Sequence, residues 1–98
     1  MRWVAIFDDA PGNEWIRRQH AEEHFAYLAS HPDKILIGGG LRDPPGAGFC
    51  GGLWVLEVET RQDAGVLCEQ DPYVVRGLRA GYRVCTWGTA PLYGSVAL

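Results

Sequence analysis

Apolar and polar positions along the chain alternate with two different periods, and the changes of period mark out six elements. Arg2 to Asp8 is strand-like, and its continuous apolar middle, Trp3-Val4-Ala5-Ile6-Phe7, predicts a strand covered on both faces. After the turn Asp9-Ala10-Pro11-Gly12 the spacing becomes helical from Asn13 to His31. At roughly 100° per residue, Ile16, His20, Ala21, His24, Phe25, Tyr27 and Leu28 fall in one half of the wheel, with Arg18, Gln19, Glu22, Glu23 and Ser30 in the other. Asn13 is the expected N-cap, Glu14 meets the positive end of the helix dipole, and His31-Pro32-Asp33 closes the helix. Ile35 to Ile37 predicts a short second strand running into Gly38-Gly39-Gly40, where absent side chains let a backbone or a ligand come close.

Leu41 to Gly51 is rich in glycine and proline and is expected to be a loop, a flexible rim for a pocket. Leu53 to Val58 supplies the third strand. Thr60 then caps a second helix, with Asp63 three residues on and Ala64, Leu67 and Cys68 as its inner stripe. Asp71-Pro72 ends that helix, Tyr73 to Gly77 is expected to be a turn, Arg79 to Trp87 is the last strand, and Gly88 to Leu98 is a tail.

The order β-α-β-β-α-β is that of the ferredoxin-like α+β class, with a four-stranded antiparallel sheet in a single domain over residues 1–98. Both helices then cover the same face. The other face needs a cover that so short a chain does not contain, and a homodimer packed through the sheet face supplies it.

Composition narrows the function classes. The chain has 98 residues, 47% of them apolar and 21% charged, as in an ordinary globular protein. A formal charge of −3, with no basic cluster beyond Arg17-Arg18, offers no footprint for nucleic acid or for an anionic membrane. No apolar run approaches the ~18 residues of a membrane span, and Met1 leads directly into the first strand, so no secretory leader is expected. Three cysteines, Cys50, Cys68 and Cys85, form neither a disulfide framework nor a zinc pattern. The expected location is the reducing cytoplasm.

Several motifs invite chemistry. His20-Ala21-Glu22-Glu23-His24 has the H-x-x-E-H form of inverted zinc peptidases, but a third protein ligand is missing and Glu23 points about 100° away from His24 on the wheel, so no metal is expected. Gly46-Ala47-Gly48-Phe49-Cys50-Gly51 spells a dinucleotide fingerprint, yet a strand follows it where the pyrophosphate needs a helix N-terminus, so it reads as a hairpin connection and implies no cofactor. The cysteines are expected to be small buried or half-buried hydrophobes, Cys50 being the best placed for any other role because it lies in the loop. Trp3, Trp15, Trp54 and Trp87 are expected in the core and at interfaces.

His24 sits near the middle of the apolar arc, where an unpaired imidazole would cost about 1–3 kcal/mol. It is therefore either satisfied as a core group or kept for proton transfer, which imidazole performs in either direction near neutrality. Arg17 projects into the same arc near its start. Asp71, at the end of the second helix, can approach His24 because both helices pack on one side of the sheet.

His24-Phe25-Ala26-Tyr27-Leu28 and Asp71-Pro72-Tyr73-Val74-Val75-Arg76-Gly77, together with Leu36-Ile37-Gly38-Gly39 and Gly48-Phe49, resemble the YCII-related family of small dimeric ferredoxin-like proteins. The resemblance implies a dimeric α+β barrel and a catalytic pair, here His24 and Asp71. It includes a dehydrochlorinase that works by acid–base elimination, and muconolactone isomerases share the fold. Around the pair, His20, Arg17, Gly38, Gly39 and Tyr73 are the candidate substrate-binding residues. The expected function is a homodimeric small-molecule enzyme performing elimination, isomerisation or lactone chemistry with a His-Asp dyad. The alternative is a dimer that only binds or senses a metabolite.

Overall fold

A computed structural model describes residues 1–94. It contains β1 (Arg2–Asp9), α1 (Glu14–Ala29), β2 (Ile35–Arg42), β3 (Phe49–Glu57), α2 (Arg61–Glu69), the single turn α3 (Pro72–Val75), β4 (Arg79–Thr86) and a short 3-10 turn, Pro91–Tyr93. The four strands form one antiparallel sheet in the order β2-β3-β1-β4, an α+β, ferredoxin-like arrangement. Strand alternation sorts the side chains. Trp3, Ala5 and Phe7 of β1, Trp54 and Leu56 of β3 and Val84 of β4 are buried on the inner face with Ala64, Leu67 and Cys68 of α2.

Pairing partners place Val4, Ile6, Leu53 and Cys85 on the outer face with Ile37 and Leu41 of β2. In the single chain Ile37 and Leu41 are exposed and Val4, Ile6 and Leu53 half-buried.

The expected loop from Leu41 to Gly51 is mostly strand. β2 extends through Gly38-Gly39-Gly40 to Arg42, β3 begins at Phe49, and the connection shrinks to residues 43–48. Glycines weaken a strand in isolation, but here they make room for rings on the neighbouring strand. A Cβ at Gly38 would stand 2.8 Å from Trp54 Cδ1, and one at Gly40 2.5 Å from the Phe49 ring. The turn expected from Tyr73 is instead α3, which Asp71 caps by accepting a hydrogen bond from the Tyr73 amide at 3.2 Å.

Thr60 caps α2 as its sequence predicts, accepting from the Asp63 amide at 3.1 Å. Asn13 does not use its side chain as a cap; its Nδ2 donates to Gly77 O at 2.9 Å and ties the start of α1 to the α3–β4 turn. Of the cysteines, Cys68 is buried as expected, whereas Cys50 and Cys85 are exposed, Cys85 because it faces outward from β4. Trp3 and Trp54 lie in the core, while Trp15 and Trp87 are exposed. No helix among the described residues is long and apolar enough to cross a membrane. The expected tail falls partly on residues 95–98, outside the described residues.

Candidate active site

Between α1 and the β2–β3 hairpin lies a cavity of about 490 Å³. Its floor is the glycine backbone of Gly38, Gly39 and Gly40 with Trp54, and its walls carry His24, Tyr73, Arg17, Arg79, Asp9 and Phe49. The room exists because β2 slips register between Ile35 and Ile37. That slip sends Ile37 outward beside Val55 and turns Gly38 and Gly40 inward beside Trp54 and Gly52.

His24 is 6% exposed. Its Nδ1 lies 2.6 Å from Asp71 Oδ1, closing the 47 residues of chain between them. The same oxygen accepts the Tyr73 amide, and a carboxylate only accepts, so Nδ1 carries a hydrogen and, in the neutral imidazole, Nε2 has the lone pair. Among the described residues the buried side-chain atoms without a partner are Asp71 Oδ2 and Arg79 Nε, which leaves His24 Nε2, also unpartnered, open to the cavity. The imidazole stacks on the Tyr73 ring, centroids 3.9 Å apart and planes 10° apart. The Tyr73 hydroxyl donates to Arg17 O at 3.1 Å and the residue is buried, so it backs the imidazole and does not supply a proton. Burial pushes the Tyr73 phenol up from its ordinary pKa, against the pull of Arg17 and Arg79. Behind the dyad, burial and then the Asp71 charge push Tyr27 and Cys68 each up to about 12, which keeps both protonated near neutrality.

Facing this pair is a charged cluster. Asp9 accepts from Arg17 Nη2 at 2.7 Å through Oδ2 and from Arg79 Nη1 at 2.6 Å through Oδ1. Both guanidiniums lie 5.2 Å from the Tyr73 ring centroid, and that of Arg17 is 4.4 Å from Phe49. Arg79 reaches the cluster through a bulge. Asp8 pairs with Gly81, but Asp9 pairs with Arg79, so Ala80 is skipped and Arg79 turns to the inner face.

Of the residues singled out from sequence, His24, Arg17, Gly38, Gly39 and Tyr73 share the cavity, with Asp71 directly behind His24. His20 does not. Its backbone leaves the helical region (φ −116°, ψ 16°), α1 kinks there, and the side chain pairs with Glu23 at 3.4 Å. The kink breaks the phase of the wheel, which is also why Phe25, expected on the buried side, is 62% exposed at the cavity rim. Cys50 is not among the cavity residues; it donates to Leu41 O across the hairpin. Among the described residues no three His, Cys, Asp or Glu side chains gather closely enough to hold a metal ion.

Asp9, Arg79 and Phe49 are site residues that the pattern reading passes over. Asp9 continues the inward series Trp3, Ala5, Phe7 and could be found by counting one residue further. Arg79 could not, because alternation from Tyr82 and Val84 points it outward.

The sequence profile of the YCII-related domain matches residues 1–88. The chain is similar to 5-chloro-2-hydroxyhydroquinone dehydrochlorinase, TftG, from Burkholderia phenoliruptrix AC1100, solved in complex with 2,5-dihydroxybenzoquinone. The two share 28% identity and a TM-score of 0.82, over 92% of this chain and 96% of that one. Protein Atu4242 from Agrobacterium tumefaciens shares the fold alone, at 11% identity and a TM-score of 0.56 over 93% of this chain and 95% of that one. No curated protein matches the sequence.

Proposed function

The chain belongs to the YCII-related domain family, and from that premise we propose that it is a small-molecule enzyme in which His24 moves a proton and Asp71 positions His24. The observation that carries this reading is the 2.6 Å contact from Nδ1 to a fully buried carboxylate, made by an imidazole whose Nε2 is open to the cavity. Asp71 holds the tautomer in which Nε2 is the basic nitrogen, and a substrate proton within reach of Nε2 can be taken and returned. Elimination fits directly. A ring hydroxyl gives its proton to Nε2 and its electron pair becomes a carbonyl, while the chlorine-bearing ring carbon takes a proton back from the imidazolium; a second ring hydroxyl then gives its proton to Nε2, its pair becomes the second carbonyl, and the pair displaced through the ring leaves with chloride. Isomerisation and lactone chemistry use the same taking and returning of a proton. None of these steps requires a cofactor.

TftG supports elimination among these, since the similarity extends over nearly all of both chains. The assembly in this proposal is a homodimer joined through the outer sheet face, supported by the exposed Ile37 and Leu41 beside Val4, Ile6 and Leu53. The test is chloride release from 5-chloro-2-hydroxyhydroquinone. The parent is expected to release chloride and His24→Ala to lose turnover by about 10²–10⁴-fold. Asp71→Asn is expected to lose less, while ¹⁵N NMR of His24 changes from one tautomer to a mixture. A single unchanged tautomer in Asp71→Asn, with unchanged turnover, would overturn the reading.

A further inference from the structure

We infer that the cavity selects anionic ligands, holding a carboxylate or ionised ring hydroxyl on the Arg17–Arg79 pair across from His24. This names the substrate class of the site proposed above and rests on that reading only for what happens to the ligand once bound.

Two guanidiniums offer five N–H donors each, and among the described residues they make three hydrogen bonds: two to Asp9 and one from Arg17 to Gly51 O at 3.4 Å. One carboxylate therefore stands between two cations, and the cluster keeps a net positive charge. Charge buried this deeply is costly unless it is matched. The Arg79 side chain is 3% exposed, and its Nε is buried without a partner among the described residues.

The slot that admits this side chain is shaped for it. A Cβ at Gly52 would stand 2.9 Å from Arg79 Nη2, so glycine is required there for the guanidinium to lie against β3. At this end of the cavity two guanidiniums outnumber the single Asp9 carboxylate, in a molecule whose overall charge is −3. A positive concavity in a negative molecule draws small anions to one place. The flat ring of Phe49 beside the Arg17 guanidinium, exposed in the cavity, favours a planar anion.

The test is calorimetric titration with 2,5-dihydroxybenzoquinone, which is anionic at neutral pH, and with hydroquinone, its neutral counterpart in size. The parent is expected to bind the anion more tightly, with an affinity that falls as salt rises. Arg79→Gln is expected to weaken the anion about 10- to 100-fold, the span of one charge-assisted hydrogen bond, and to leave hydroquinone binding unchanged. Because Arg79→Gln could disturb packing, Arg79→Lys and Gly52→Ala accompany it. Lysine should recover part of the loss by restoring the charge, and Gly52→Ala should reproduce part of it by displacing the guanidinium. His24→Ala should keep the preference for the anion even where turnover is lost. A parent that shows the preference while no reaction is found would sink the acid–base proposal and leave this one standing. Equal affinity for the two probes, no binding of either at millimolar concentration, or an Arg79→Gln variant that binds the anion like the parent would each overturn the inference.

Discussion

The two helices cover the same face of one sheet, yet the halves beneath them differ. Under α2, Ala64, Leu67 and Cys68 interlock with Trp3, Leu56 and Val84, every one of them buried. Under α1 the inward positions of β2 are glycines, those next to Phe7 are Asp9 and Gly52, and about 490 Å³ is left open. The dry half obeys the strand and helix periods from end to end. The open half departs from them four times: at the β2 register slips at Ile35–Ile37 and at Leu41–Arg42, at the Asp8–Asp9 bulge and at the His20 kink. Violations of local rules concentrate where a site needs space and charge; the regular half supplies the rigidity that holds them.

Substitutions should separate the halves, one losing chemistry and the other stability. The largest effect is expected from His24→Ala, a loss of turnover of about 10²–10⁴-fold measured by chloride release. Next is Leu67→Ala in the dry half, expected to cost about 2–4 kcal/mol in urea unfolding while leaving the turnover of folded protein near that of the parent. A cost below about 0.5 kcal/mol would mean that the half beneath α2 is not close-packed.

A smaller effect of pH follows from Cys68 and Tyr27, whose folded pKa values are raised to about 12. Above its unfolded pKa each group binds more protons folded than unfolded, so its contribution is complete below about pH 9 and is lost as pH rises toward 12. Urea midpoints should therefore fall across that window; midpoints that stay level would show that neither group is held in its protonated form. The smallest effect is expected from Phe25→Ala at the cavity rim. Its stability should stay within about 0.5 kcal/mol of the parent, and a larger loss would show that α1 depends on this ring for packing.

Much of this was legible before any coordinates. Alternation in β1 identifies Trp3, Ala5 and Phe7 as core, the Thr60–Asp63 spacing starts α2 at the right residue, and the wheel buries His24. The approach of Asp71 to His24 follows from both helices packing on one side. What escapes has a common cause, because periodicity carries information only while the phase is kept. The kink moves His20 and Phe25 off the buried side, and the slip at Ile35–Ile37 hides the strand character of three glycines. The bulge reverses Arg79 and Asp9 lies one residue past the predicted strand end, so of the cluster opposite His24 the sequence reading holds Arg17 alone.

Asp71 Oδ1 accepts both the imidazole of His24 and the amide that begins α3. A single atom thus belongs to two separate histories, one of chemistry and one of architecture. A descendant that abandoned proton transfer would be free to replace the histidine, while the aspartate would be kept to cap the turn that carries Tyr73 onto Ile16 and Leu78. On the proposed chemistry, then, the aspartate before Pro72 is a mark of the fold, and the histidine that contacts it is the mark of activity.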